Sequence, residues 1–249
     1  MRNPTHRAAA RATGSPSLFR RAGVLLLWTG AVLGAQPAPE STPTELPGAE
    51  TFVYRDDGAT PPMRLFVVKP AGWQAGDRRP ALLFFFGGGW TTGTPASSVF
   101  WARFAADLGL VGIAPDYRTK GRHDVSPLGS VADARAALRW VQDHAGELGL
   151  APDRIAVGGN SAGGHVALWT ALAAAPPGSD ERESPRSKPA ALILFSTVSD
   201  TSVATGYTPQ RFGEHATALS PVHQLDARQQ PRLAVRQKSD GGEADDAGF

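Results

Sequence analysis

Between Thr51 and Ser196 the apolar residues come in short bursts separated by polar turns, and the period of each burst predicts its element. "TFVYR" (51–55) and "MRLFVVK" (63–69) read as strands on either side of a "DDGATPP" turn. "ALLFFF" (81–86) is continuously apolar, as expected of a strand covered on both faces. "SSVFWARFAADLG" predicts a helix ending at Gly109, and "LVGIA" (110–114) a second buried strand that runs into the turn "PDYR". Val131, Ala134, Leu138, Val141, Ala145 and Leu148 recur at spacings of three and four, predicting an amphipathic helix with Arg135, Arg139 and Asp143 near its solvent side. "APDRIAVGG" is a turn and a further buried strand, "SAGGHVALWTALAAA" a helix, "PPGSDERESPRSKP" a polar loop and "ALILFS" one more strand. Strands alternating with amphipathic helices predict an α/β architecture, with a mostly parallel sheet and helices on both faces.

Two glycine-rich stretches interrupt this pattern where chemistry would need bare backbone. "VGGNSAGG" (157–164) contains Gly159-Asn160-Ser161-Ala162-Gly163, a G-x-S-x-G match placed after a buried strand and before a helix. So tight a strand-to-helix turn forces Ser161 into a strained conformation that lifts its hydroxyl clear of the sheet. Side chains at Gly159 or Gly163 would clash. The helix that follows aims its N-terminus at the site, so the Ala162 N–H can donate to an oxyanion. Upstream, the strand 81–86 ends on Gly87-Gly88-Gly89 and Trp90. Three glycines after a strand leave amides that no side chain shields, the second wall of donors that a serine nucleophile requires.

The combination of "GGGW", "GNSAGG", "DYR" (116–118) and "DARAALRW" (133–140) resembles the α/β-hydrolase superfamily, in its secreted bacterial esterase/lipase branch related to hormone-sensitive lipase and feruloyl-esterase-like domains. The resemblance covers about Thr51 to Val235. It implies an α/β-hydrolase fold, a serine hydrolase of carboxylic esters working through an acyl-enzyme on Ser161, and an oxyanion hole formed by Gly88, Gly89 and Ala162. The family has His before the glycines where this chain has Phe86.

The rest of the triad is harder to place. In this fold the order is Ser, then Asp or Glu, then His. His165 sits one turn along the nucleophile's own helix and reads as a packing residue, His215 as a surface residue, and His223, after "LSPV", as structural. "QPRLAV" (230–235) resembles the start of the acid-bearing strand, and by position Asp240 falls where the acid would be, although Arg236 to Ser239 match little of the family's turn. No histidine follows, so no triad base is identified. The resemblance therefore implies a domain lacking its last strand and helix. A second reading stays open beside the esterase: a truncated or inactive relative that binds ligand without turnover. A peptidase of the same superfamily would carry an additional N-terminal domain, which residues 36–50 cannot supply.

Composition adjusts the picture at the ends of the chain. The 249 residues suffice for one sizeable domain. Residues 1–35 hold Arg2, Arg7, Arg11, Arg20 and Arg21, no acid, and the apolar run Ala22 to Ala35, the pattern of a secretory signal peptide; an uncleaved anchor is the alternative. Removing those five charges from a formal net charge of +2 leaves −3, so no basic patch argues for nucleic acid. With no cysteine, thiol chemistry and a lipoprotein anchor are excluded. Scattered Asp and His show no metal-ligand spacing, and no cofactor is expected. Residues 36–50 read as a Pro/Thr/Glu-rich solvated linker, 51–235 as the hydrolase domain and 236–249 as a disordered tail. The expected setting is secreted or periplasmic, with no stable membrane span after signal cleavage. The expected partner is a small-molecule or polysaccharide ester.

Overall fold

The structure is a computed structural model that describes residues 41–58, 61–178 and 184–225. The expected signal peptide (1–35), the tail (236–249), the strand start at 230–235 and Asp240 all lie outside the described residues. Six strands form one sheet: β1 (Glu50–Arg55), β2 (Met63–Val68), β3 (Arg79–Phe85), β4 (Val111–Pro115), β5 (Leu150–Asn160) and β6 (Ala191–Phe195). The helices are α1 (Val99–Asp107), the short α2 (Lys120–His123), α3 (Pro127–Asp143) and α4 (Ala162–Ala171). None of the described helices is long and apolar enough to cross a membrane.

The strand order is β1-β2-β4-β3-β5-β6. β1 and β2 pair antiparallel, as do β2 and β4, while β4, β3, β5 and β6 run parallel. The apolar run of β3 serves two cores at once. Ala81, Leu83 and Phe85 join the large core beneath α3 and α4, whereas Leu82 and Phe84 face Ala105 of α1 on the opposite side. The alternation follows from the pleat, which sends successive side chains to opposite faces. Helices therefore cover both faces, as the sequence predicts.

This order places the functional elements. After β3 the chain leaves through α1 to β4 on one side; after β5 it leaves through α4 to β6 on the other. β3 and β5 are parallel neighbours, with Phe85 opposite Gly159. Their outgoing connections diverge at the carboxyl ends of the strands, and such a switch point is where open α/β sheets bind ligands in a crevice.

Three expectations are corrected. Arg135 is not on the solvent side: it is buried, and its guanidinium donates to the carbonyls of Trp169 (2.7 Å) and Leu172 (3.1 Å) and to Ser184 Oγ (3.0 Å). A buried arginine is tolerable when its N–H groups find acceptors, and the frayed end of α4 supplies them. The expected solvated linker (36–50), described from Ser41, is mostly exposed but is held to the domain at a few points. Leu46 and Ala49 pack beside Phe66, Val99 and Ala102, and Arg103 and Arg122 donate to Pro47 O and Thr42 Oγ1. The long helix stops at Asp143, although Ala145 and Leu148 stay buried in the turn that leads into β5.

Candidate active site

Ser161 lies between β5 and α4 with φ 51° and ψ −119°. A non-glycine residue there is strained, and such strain concentrates at functional turns. Two backbone bonds hold it: Ser161 N donates to Phe195 O of β6 (2.9 Å), and Ser161 O accepts from His165 N (3.1 Å). The flanking glycines are required by close approach. A Cβ on Gly163 would run into the carbonyls of Phe85 and Phe86, and one on Gly159 into the backbone of Gly163. Ala162 opens α4, so its N–H has no intrahelical acceptor.

The glycine tract lies beside this turn. A Cβ on Gly87 would lie 2.6 Å from Asn160 Nδ2, so the loop after β3 touches the residue before the serine. Gly88, Gly89 and Trp90 have φ of 134°, 61° and 60°. The tract's carbonyls are tied back. Phe86 O accepts from Tyr117 Oη (2.8 Å), Gly88 O from the amides of Thr91 (3.1 Å) and Thr92 (3.0 Å), and Gly89 O from Arg211 Nη1 (2.9 Å). Trp90 O and Thr91 O accept from the amides of Lys120 and Gly121. In a trans peptide the N–H points opposite to the C=O. Tying back Gly88 O therefore turns the Gly89 N–H outward, and neither the Gly88 nor the Gly89 amide donates to any group among the described residues. The structure thus sets the turn of Ser161 and Ala162 beside the loop that carries Gly88 and Gly89, with Gly87 against Asn160.

Phe86 replaces a polar tie with stacking. It is fully buried, with its ring 4.1 Å from that of Tyr117 and nearly parallel to it. The "DYR" turn supplies the remaining polar support. Asp116 pairs with Arg122 (2.6 Å), and burial pushes its carboxyl up despite that partner. Asp133, also buried, accepts from Arg118 N (2.8 Å) and Arg118 Nη2 (2.8 Å), and that side-chain hydrogen bond to Asp133 raises the Arg118 guanidinium further. The Arg118–Asp133 contact thus ties the "DYR" turn to helix α3.

His165 is fully buried and committed. Trp90 Nε1 donates to its Nδ1 (3.3 Å), so its Nε2 donates to Leu219 O (2.9 Å). Burial pushes this imidazole down to about 4. The other described histidines are engaged too: His123 Nδ1 accepts from Thr119 N, His144 Nδ1 lies 2.8 Å from Trp140 O, His215 lies beside Glu214, and His223 Nδ1 is 2.9 Å from Ser220 Oγ. No histidine among the described residues is hydrogen-bonded to Ser161 Oγ. Sequence reasoning missed Tyr117 and Arg211 as loop supports. "DYR" was a visible signal for the first, but none marked the second.

The profile of the α/β hydrolase fold family matches residues 82–239. Carboxylesterase NlhH of Mycobacterium tuberculosis is 41% identical over 91 residues, covering 36% of this chain and 28% of that protein. Carboxylic ester hydrolase LipN of the same organism is 39% identical over 102 residues, covering 39% and 25%. The chain thus spans little more than a quarter of these curated relatives. Among solved structures, Thermogutta terrifontis esterase 2 phosphoramylated by tabun is 42% identical at a TM-score of 0.64, covering 72% of this chain and 67% of that one. With a family profile over most of its length, and with its glycine loop and strained serine on neighbouring parallel strands, this chain belongs to the α/β hydrolase fold family.

Proposed function

We propose that this chain is a serine hydrolase of carboxylic esters. Ser161 Oγ attacks the ester carbonyl, and the N–H groups of Gly88, Gly89 and Ala162 hold the oxyanion. The alcohol leaves, and water releases the acyl group from Ser161. The observation that carries this reading is the strained Ser161 at the end of β5 beside the glycine loop that ends the neighbouring parallel strand β3. The esterase structures at about 40% identity support it. Thermogutta terrifontis esterase 2 has been solved with propionate and with butyrate bound, so short acyl chains are the proposed substrates here.

Binding without turnover is the second reading, favoured by the commitment of His165 to Trp90 and Leu219 and by the hydrogen bonds that engage His123, His144 and His223 elsewhere. A serine lacking its base keeps only the roughly thousandfold advantage over water that oxyanion binding provides. One experiment separates the two readings: fluorophosphonate labelling and p-nitrophenyl acetate hydrolysis by the full chain and by Ser161→Ala. The hydrolase is labelled, and Ser161→Ala loses the label and at least about a thousandfold in turnover. A folded chain that takes no label, and whose background hydrolysis is unchanged in Ser161→Ala, supports the binder.

A further inference from the structure

We propose that Arg211 is a positioning residue for the glycine loop: by holding the Gly89–Trp90 peptide plane it limits rotation of the adjoining Gly88–Gly89 plane, which carries the Gly89 N–H. The proposal rests on the reading of that loop as an oxyanion hole. A tract with three successive positive φ values has no side chain of its own before Trp90 to lock it, and glycine peptides flip easily. A hydrogen bond to its carbonyl fixes such a plane. Gly88 O is held from within the loop by Thr91 and Thr92, and Phe86 O by Tyr117. For the plane between Gly89 and Trp90, the ties are Arg211 Nη1 at 2.9 Å and the nearby Thr91 hydroxyl at 3.2 Å. Among the described residues, the first is the one that comes from outside the loop.

Arg211 arrives on a rigid mount. It ends the single 3-10 turn Pro209–Arg211, and the next residue, Phe212, is buried edge-on to Trp90, with ring centres 4.7 Å apart. Farther along the same segment, Leu219 O accepts from His165 Nε2 (2.9 Å) and Trp169 Nε1 (3.0 Å), both on α4. Trp90 Nε1 donates to His165 in turn. The segment 209–219 thus bridges the loop after β3 and the helix that carries Ser161, and Arg211 is its contact with the loop backbone. The guanidinium lies directly against the Gly89 backbone, in the space that a Cβ on Gly89 would take. Arg211 itself is exposed, so its single hydrogen bond contributes little to global stability. Loop order and fold stability are therefore separable at this residue.

The test uses the full chain, Arg211→Ala and Arg211→Lys. Amide exchange is read at Thr91 and Thr92, whose N–H groups close the loop on Gly88 O. Arg211→Ala is expected to speed their exchange at least about fivefold while the unfolding midpoint moves by no more than about 2 °C, and Arg211→Lys to restore part of the protection. Unchanged loop exchange, or exchange that rises equally across α3 and β5, overturns the proposal. The second reading is phosphorylation by paraoxon, a reagent that modifies the Thermogutta esterase. Its limiting rate is expected to fall at least about fivefold in Arg211→Ala with the half-saturating concentration unchanged. A faster-exchanging loop with an undiminished limiting rate overturns the positioning role. If the wild-type chain does not react at all, it is the hydrolase reading that fails, and the exchange data decide Arg211 alone.

Discussion

Gly88 is the residue at which the site allows no alternative. Its φ of 134° is closed to L side chains, and a Cβ would run into the Thr92 carbonyl. Gly88→Ala must move the loop, at a cost of about 1–3 kcal/mol in strain. The Gly89 N–H turns with it, so under the proposed oxyanion-hole role labelling of Ser161 by a fluorophosphonate should slow at least about tenfold, more than the stability loss alone explains. Labelling at the wild-type rate would show that the loop amides do not meet the developing charge. Ser161 is the complementary case. Its φ of 51° is strained yet held by bonds to Phe195 O and from His165 N, so the strain is supported by its neighbours.

Among the elements, the turn after β4 does more than connect. Arg118 and Asp133 join it to α3, Arg122 and Asp116 brace it from α2, and the amides of Lys120 and Gly121 take the carbonyls of Trp90 and Thr91. α2 and the start of α3 thus buttress the glycine loop from below. Asp133 has no exposure and accepts from both Arg118 and Arg55. Asp133→Ala removes the main acceptor of the Arg118 guanidinium, and breaking such a pair costs about 3 kcal/mol. Urea denaturation should show a lower midpoint with an unchanged slope. An unchanged midpoint would mean that solvent replaces the carboxylate freely.

For the whole molecule the sharpest consequence is in pH. His165 is held to about 4 by burial, and Trp90 Nε1 already donates to the nitrogen that would take the proton. In the unfolded chain the same imidazole protonates near its ordinary value of about 6.5. The unfolded state therefore binds more protons between about pH 6.5 and 4, and stability is lost as pH falls through that window. Above it, and below about 4, this residue contributes no further slope. Within it the slope approaches about 1.4 kcal/mol per pH unit. His165→Gln keeps an acceptor for Trp90 and a donor for Leu219 O, and should flatten the acid limb of a urea-midpoint profile. Part of the slope remains, because burial first and the Arg122 charge second also bring His123 to about 4. An acid limb as steep as that of the wild type would remove His165 from the account.

Local pattern determined much of this protein. The periods of two and of three to four laid out strands and helices in order. The G-x-S-x-G spacing after a buried strand identified the strained serine, and the glycine tract after "ALLFFF" identified the facing loop. These are readable because a pleat, a helical turn and a glycine-only conformation each constrain neighbours a few residues apart. The tertiary structure decided what no local spacing records. It set β5 beside β3, so that two loops 70-odd residues apart lie side by side. It buried Arg135 against the end of α4 and docked Leu46 and Ala49 beside α1, because acceptors and apolar surface happened to wait there. It also delivered Arg211 to Gly89 O across 122 residues. A backbone carbonyl does not specify in sequence which distant donor will reach it; only the packing of the segment between Pro209 and Leu219 onto Trp90 and His165 does.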